Sequence, residues 1–504
     1  MKTIFFFLLF ILSAKLHAQL FSWASSAPGM NLEYLQTEIH ADGSITVLAE
    51  KEGSVQNEYG FFDGNGNGSA DEFFDGNQLL IHFDAEGNFI RTQAVYNENK
   101  IYGIAAQPNG GLLLLCFIEG KYSSKTSSST NYDEETEEEN EEEEDEDAPL
   151  LYGDYPFHRF NKKLDAGYQL IYLDKNGNYL SNFHLPFSPE LELSFGEMKM
   201  HPNGNIILCG FMENELLKNA PQTQTRRSGA NFIAGISPKG QLLWSDILHS
   251  SDESCCSFHM EIAHLSIAPN GSIYFAGTLY GDAIFGLNET VACKAPYLNK
   301  KNSSSDMDVF LASYTADGKF NWARTSDNYG YAEALCTDNE HAYIAITQYA
   351  YGEAFGQQVD TTFGKRHHLL KFNTQGKVVN HTSMLPTIQD IFLLPNQELL
   401  IYGYGHYSYS KTNKQAEVFV QFKERDNLFI ARITNEFQLR ASYSFQLLLG
   451  HEYETHLWYK NGRAFLSGEL WGGLPLPLSA VNKAFKGSTQ LYGGAAFVGR
   501  IGNY

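Results

Sequence analysis

One short turn signature occurs seven times along the 504-residue chain, and it constrains the fold more than any other feature. The copies HADGSI, QPNGGL, HPNGNI, APNGSI, TDNEHA, LPNQEL and YKNGRA share a position occupied by Asp42, Asn109, Asn203, Asn270, Asn339, Asn396 and Asn461. Asn and Asp suit a tight turn because they tolerate positive φ, and a following Gly removes the remaining steric cost. Apolar or alternating residues flank each copy, so each predicts a β-hairpin.

A second polar turn follows each of the first six hairpins. It is centred on Gly87, Gly177, Gly240, Gly318, Gly376 and Phe437. Two hairpins per repeat predict four strands, which we name A, B, C and D in chain order. Measured at the residue after the shared position, the seven repeats follow one another at intervals of 67, 94, 67, 69, 57 and 65 residues. An internal period of this size indicates a repeat architecture.

The two ends of the chain complement each other. The C-terminal segment AAFVGRIGNY matches a C strand, and no D strand follows it. Near the N-terminus, LFSWASS has Trp23 at the position that Trp322 occupies in the D-strand segment KFNWARTS. Residues 20–25 are therefore expected to supply the missing D strand of the last repeat. We predict an all-β, seven-bladed β-propeller of four-stranded antiparallel blades, closed by this N-terminal strand. An open stack of β-repeats is the alternative, but it does not require complementary ends.

The NG turns and the repeated Trp positions resemble the SBBP-type repeat of secreted bacterial β-propellers over almost the whole mature chain. TADGKFNW, from Thr315 to Trp322, is more distantly similar to the D-x-x-G-K-x-x-W core of PQQ-like repeats. These motifs encode blade geometry, so the resemblance implies a propeller and no particular chemistry.

The first 18 residues are predicted to be a secretory signal peptide. Lys2 precedes an apolar run from Ile4 to Leu12, and Ala18 is the small residue expected before a cleavage site. Residues 19–504 are then a single propeller, secreted or otherwise placed in a periplasmic or extracellular compartment. No later apolar run is long enough for a spanning helix, so we expect no membrane span, and we expect a monomer.

An acidic tract accounts for much of the net charge of −23. Residues 133–147 hold 13 of the 59 acidic residues and fall within the longest repeat interval. Such a sequence cannot bury enough apolar surface to order itself, so residues 122–148 are expected to be a disordered insertion. The acidic balance argues against nucleic acid as a partner.

Counting seven residues back from each signature turn selects one residue near the start of every A strand. These residues are Gln36, Gly103, Glu197, His264, Glu333, Asp390 and Thr455. Presented around the central channel, their polar members could bind a cation or a small polar ligand. The alternative is channel lining whose acids are tied to backbone amides of neighbouring blades.

One loop resembles a calcium-binding segment. Asp63, Asn65, Asn67 and Asp71 reproduce the spaced oxygen ligands of such a loop, but Phe74 stands where a bidentate Glu is due. A polar loop without metal is the alternative, and no other cofactor is indicated.

Six cysteines are present. Cys116 and Cys209 lie in apolar B strands, as buried thiols would. Cys255 and Cys256 are adjacent in a D–A connection, and Cys293 is the expected disulfide partner of one of them. PQQ-dependent dehydrogenases also carry an adjacent cysteine pair, which keeps a quinoprotein among the alternatives.

The predicted B–C connections are long and dissimilar, whereas the A–B and C–D turns are tight. A rigid ring that carries variable loops on one face suits recognition, and the chain contains no GxSxG, HExxH, P-loop or CxxC motif. We therefore predict a non-enzymatic binding scaffold that recognises an extracellular protein or glycan through its B–C and D–A loops. The alternative is a propeller hydrolase, lyase or quinoprotein-like oxidoreductase with a site at the channel mouth.

Overall fold

A computed structural model shows how the repeats assemble. It describes residues 21–27, 32–51, 78–87, 89–95, 99–118, 164–188, 193–212, 230–250, 260–280, 282–286, 289–292, 307–348, 353–358, 366–384, 386–404, 428–445, 455–460, 462–471 and 494–501. These residues form antiparallel strands and turns without any helix. The predicted signal peptide, the acidic insertion, the calcium-like loop and Cys255, Cys256 and Cys293 lie outside the described residues.

The first three repeats form separate sheets. The first consists of β2 (Leu32–Ile39), β3 (Ile45–Lys51), β4 (Gln78–Phe83) and β5 (Phe89–Val95). The second consists of β6 (Lys100–Ala106), β7 (Leu112–Ile118), β8 (Gly167–Leu173) and β9 (Tyr179–His184). The third consists of β10 (Leu193–Met200), β11 (Ile206–Met212), β12 (Ala230–Ile236) and β13 (Leu242–Ser250), extended by β16 (Asp282–Phe285) and β17 (Glu289–Ala292).

The fourth and fifth repeats share one seven-stranded sheet. Its strands are β14 (Met260–Ile267), β15 (Ile273–Tyr280), β18 (Met307–Tyr314), β19 (Phe320–Thr337), β20 (His341–Gln348), β23 (Arg366–Asn373) and β24 (Val378–Met384). A separate hairpin, β21 (Glu353–Ala354) and β22 (Gln357–Gln358), lies between β20 and β23 in the chain. β19 is continuous because its first half pairs with β18 as a D strand and its second half pairs with β20 as an A strand.

The last two sheets complete the ring. One consists of β25 (Thr387–Leu393), β26 (Leu399–Tyr404), β27 (Leu428–Ile433) and β28 (Leu439–Phe445). The other, which we call the closing blade, consists of β29 (Thr455–Lys460), β30 (Arg463–Trp471), β31 (Gly494–Ile501) and β1 (Phe21–Ala27). The A-strand segments contact one another in the circular order β2, β6, β10, β14, β19, β25, β29 and back to β2.

This topology is that of a β-propeller, and it corrects one part of the prediction. The expectation of seven separate four-stranded blades is wrong, because the described chain forms six blades. The uninterrupted β19 leaves no D–A connection between the fourth and fifth repeats, so their strands belong to one sheet. The predicted closure is confirmed: β1 pairs antiparallel with β31 as the outer strand, with Ala24 opposite Gly499 and Ala27 opposite Ala496.

The long connection between β15 and β18, a B–C connection, contains structure of its own. It contains the hairpin β16–β17, which adds to the outer strand of the preceding repeat by pairing Ser250 with Ala283. Ala283 and Phe285 are fully buried there, and the Phe285 ring lies 5.6 Å from that of Phe310. Apolar residues within a long connection thus form an additional edge to the sheet.

Six of the seven signature turns have positive φ at the residue after the shared Asp or Asn, and TDNEHA is the exception. Gly43 takes a φ of 89° and donates its N–H to the carbonyl oxygen of His40, while the Asp42 carboxylate accepts the N–H of Ser44. Where the sequence offers no glycine, Gln397 itself adopts a φ of 64°. A turn that requires positive φ is therefore preserved in LPNQEL at the strain cost of a non-glycine residue.

The core consists of apolar layers between successive repeats. β4 is buried along its whole length, as are most residues of β7 and β12. One layer, for example, joins Leu115 and Leu170 of the second repeat to Leu208 and Phe232 of the third. Because B and C strands are covered on both faces, they appear in the sequence as continuous apolar runs.

Candidate functional site at the inner ring

The predicted ring falls at a recurring irregularity of the inner strands. Gln36, Gly103, Glu197, His264 and Asp390 each come directly after a β-bulge, as the register of their strands shows. The unpaired bulge residues are Leu35, Tyr102, Gly196, Ala263, Glu333 and Gln389. A bulge redirects the following side chain. In this ring, the polar side chains reach across to the neighbouring inner strand.

Two predicted positions are out of register. Glu333 is itself the bulge residue, because the A–B turn of its repeat is one residue shorter and pairs Thr337 with Ala342. Thr455 is fully buried and shares a hydrogen bond with the Tyr402 hydroxyl instead of facing the ring. His456, the next residue in β29, occupies the ring position there.

Gln36 shows why a polar residue is needed at this position. Its side-chain oxygen accepts the backbone N–H of Ile104 at 2.9 Å, and its Nε2 donates to the carbonyl oxygen of the same residue at 2.8 Å. β6 pairs only with β7, so its other edge carries backbone groups without a strand partner. The amide of Gln36 satisfies both groups of Ile104, which a buried edge requires.

Glu197 and Lys199 divide the same task between two side chains. Glu197 Oε2 accepts the N–H of Leu265 at 3.2 Å, and Lys199 Nζ donates to the carbonyl oxygen of Leu265. Lys199 Nζ also lies 2.9 Å from Glu197 Oε2. The second oxygen, Glu197 Oε1, lies 3.8 Å from Nδ1 of His264.

His264 continues the ring to β19. Its Nε2 lies 3.3 Å from the carbonyl oxygen of Ala332, an acceptor, so Nε2 carries the proton and Nδ1 is the basic nitrogen of the neutral ring. Burial lowers the pKa of His264, against the opposing charge of Glu197. The charge of Asp390 also acts on this histidine from two inner strands away.

Asp390 repeats the arrangement on the other side of the ring. Its Oδ2 accepts the N–H of Leu457 at 2.9 Å and lies 3.8 Å from Nδ1 of His456. Burial alone would lower the pKa of His456, but the contact with Asp390 and its charge outweigh that effect and raise it. The two channel histidines are thus shifted in opposite directions.

The structure therefore brings together neighbouring ring members in pairs, Glu197 with His264 and Asp390 with His456. The sequence reasoning missed further charges nearer the A–B turns, where Glu38, two residues beyond Gln36, lies 3.3 Å from Lys460 of β29. Strand alternation is the signal that could have found them, because residues two apart share a face. Glu38 also bonds the edge of β6, since its carboxylate accepts the N–H of Ala106 at 3.1 Å.

The remaining groups of the described ranges with metal or thiol chemistry are the metal-ligating residue types and the cysteines. There, no group of three or more His, Cys, Asp or Glu side chains is arranged to hold a metal ion. Cys116 and Cys209 are buried free thiols, as predicted, and Cys336 is a third. Burial raises the pKa of Cys209 to about 12, so it is not a reactive thiolate at neutral pH. Within the same ranges, no helix is long and apolar enough to cross a membrane.

Comparisons with known proteins add little. No protein-family model matches the chain, and no curated protein matches its sequence. Among solved structures, a protein of unknown function from Dyadobacter fermentans DSM 18053 is 9% identical, with 96% of this chain and 99% of that chain covered and a TM-score of 0.39. One of unknown function from Bacteroides caccae is 10% identical, with 73% and 90% covered and a TM-score of 0.32. BamB from Moraxella catarrhalis is 11% identical, with 75% and 87% covered and a TM-score of 0.26. At these TM-scores the likenesses carry no argument, and the fold rests on the strand topology.

Proposed function

We propose that the protein is an exported, monomeric β-propeller of SBBP-type repeats that acts as a non-enzymatic binding scaffold for an extracellular protein or glycan. One observation carries this proposal: the polar ring residues hold the inner strands together. Gln36, Glu197 and Asp390 each bind backbone groups of the next repeat. Because these side chains are occupied by hydrogen bonds to neighbouring strands, we assign ligand recognition to the loops.

The division between the two faces supports the same function. The A–B and C–D turns of a repeat are short and lie side by side, as a Cβ placed on Gly271 would be 3.2 Å from Ala316. The B–C connections hold the variable sequence, such as residues 405–426 between β26 and β27. Connections of this length within a compact fold are commonly functional.

Binding of the mature chain to arrays of extracellular glycans and immobilised extracellular proteins tests this function. A variant with residues 405–426 replaced by a short Gly-Ser linker should lose or change its binding profile. Asn203→Ala, in an A–B turn, is the control and should bind as the unaltered chain does. Equal binding by both variants would exclude this loop from recognition, and absence of binding to every array would contradict the scaffold function.

Catalysis at the channel is a second candidate, favoured by the two histidine–carboxylate pairs. The pKa of His264 is lowered and that of His456 is raised, so one pair offers a base and the other an acid near neutral pH. A screen for hydrolase, lyase and dye-linked dehydrogenase activity tests it. Turnover abolished by His264→Gln or Glu333→Gln would replace the scaffold function with an enzymatic one.

Two further proposals, a calcium site and a disulfide, rest on sequence pattern alone. We propose Ca²⁺ for the loop with Asp63, Asn65, Asn67 and Asp71, and a disulfide that joins Cys293 to Cys255 or Cys256. Calcium titration followed by calorimetry checks the first, with Asp63→Asn as the variant. Peptide mapping of the unreduced protein checks the second.

A further inference from the structure

The closing blade is attached to both of its neighbours by charged side chains. On one side, His456 Nδ1 lies 3.8 Å from Asp390 Oδ2 of β25. On the other side, Lys460 Nζ lies 3.3 Å from Glu38 Oε2 of β2, and Arg463 Nη1 donates to the carbonyl oxygen of Asp42 at 2.9 Å. This blade also joins the two ends of the chain, since β1 pairs with β31.

The seam between the first and second repeats depends more on neutral amides. Gln36, Gln78 and Gln93 bind backbone groups of the second repeat through their side-chain amides. Glu38 and Arg91 add charged contacts there, to the N–H of Ala106 and the carbonyl oxygen of Lys175. Gln78 is 2% exposed and Gln93 is 1% exposed, so neither salt nor pH changes these bonds directly. In contrast, the side chains of His456 and Lys460 are 47% and 44% exposed. Water and ions reach both contacts of the closing blade, so ionic strength weakens them.

We propose that the closing blade is a proton- and salt-sensitive latch of the ring, which loosens from β25 and β2 as pH and salt concentration rise. Protonated His456 is attracted to Asp390, and this attraction is lost when the imidazole gives up its proton as pH rises. Added salt screens the contact between Lys460 and Glu38. Mild acid at low salt therefore tightens the latch, and mild alkali at high salt loosens it.

The charged groups of the closing blade and of its two neighbours define this behaviour. Asp390 faces it from β25 and raises its pKa. Lys460 lies on the same strand, Glu38 is contributed by β2, and Arg463 begins β30. Asp390 also accepts the N–H of Leu457, which joins β25 to β29. Loss of the His456 charge therefore weakens a contact next to this hydrogen bond.

Hydrogen exchange measured by mass spectrometry on the mature chain tests the latch, at about pH 6 with low salt and about pH 8 with about 0.5 M salt. After correction for intrinsic exchange rates, protection of peptides covering residues 455–471 should fall about fivefold, as expected for two exposed ion pairs. Peptides covering β7, whose residues from Leu112 to Ile118 carry no charge, should change by less than about twofold.

Variants locate the effect. Asp390→Asn should abolish the pH dependence in residues 455–471, whereas Glu197→Gln, at the equivalent position of a distant seam, should leave it intact. If Asp390→Asn fails to fold, His456→Gln supplies the same test, because it should show the low-protection state at both pH values. An unchanged protection of residues 455–471, or an equal fall across all repeats, would overturn the proposal.

Discussion

The indole N–H of Trp322 donates a hydrogen bond to the carbonyl oxygen of Thr374, 2.8 Å away, and this bond joins two consecutive repeats. The Trp322 ring also covers Gly376 in the same C–D turn. Trp244 takes the corresponding place one repeat earlier, stacked on Tyr314 and against Gly318. The repeated Trp therefore packs one repeat onto the C–D turn of the next, which is a structural role.

Gly376→Ala should destabilise the protein strongly for this reason. Gly376 has a φ of 73°, and an added Cβ would be 2.6 Å from Trp322. We expect a loss of about 2–4 kcal/mol in the free energy of unfolding, from backbone strain and overpacking together. Gly204→Ala is the matched control, because Gly204 has a φ of 88° and nothing within 4 Å. Urea unfolding of both variants measures the difference, and equal losses would show that the Trp322 contact contributes nothing.

The pattern of turns and apolar runs was sufficient to predict the architecture, since Asn and Gly dictate turn geometry locally. It could not reveal that β19 continues from Phe320 to Thr337, because Asp327, Asn328 and Gly330 within that segment are residues typical of a turn. Nor could it reveal the bulges, which shift the register of an inner strand without a fixed sequence signal. Where the turn length is constant, the counted position falls directly after the bulge. The count instead selects the bulge residue Glu333 in the repeat whose turn is one residue shorter. It selects the buried Thr455 in β29, which has no bulge in its described length.

His40 should make the protein less stable in mild acid. It is 5% exposed and bonded to Thr46, and burial lowers its pKa from 6.5 to about 4. The unfolded chain therefore binds a proton between these two pH values that the folded chain does not. The free energy of unfolding should fall by up to about 3 kcal/mol as pH drops from about 6.5 to about 4.

His40→Gln should flatten part of this acid dependence, because the amide can still reach Thr46 but does not titrate. The lowered pKa of His264 contributes in the same direction and should remain. His381→Gln, at an exposed position, should leave the dependence unchanged. Chemical denaturation at several pH values provides the measurement. A parallel loss of slope in both variants would show that His40 is not the group responsible.

Removal of residues 19–25 should destabilise the whole ring, because it takes away most of the strand that closes it. β1 supplies the outer pairing of β31, from Phe21 opposite Ile501 to Ala27 opposite Ala496. We expect a loss of about 3 kcal/mol or more, from the opened sheet edge and the lost backbone hydrogen bonds of β1. Thermal unfolding compared with the mature chain measures it. A melting temperature that stays the same would mean that β31 closes the ring without its partner.

Gln36→Leu separates a cohesive ring from a ligand site. Leucine has a similar volume but leaves the N–H and C=O of Ile104 without the partners that Gln36 provides at 2.9 Å and 2.8 Å. Ile104 is fully buried, so we expect a loss of about 2–4 kcal/mol in the free energy of unfolding. Gln36→Glu keeps the acceptor for the N–H but replaces the donor to the C=O, and it should lose about half as much. Chemical denaturation of the two variants gives this order. The opposite order, or no loss in either, would mean that Gln36 is held in the ring for a bound ligand and that its amide contributes nothing to joining β2 and β6.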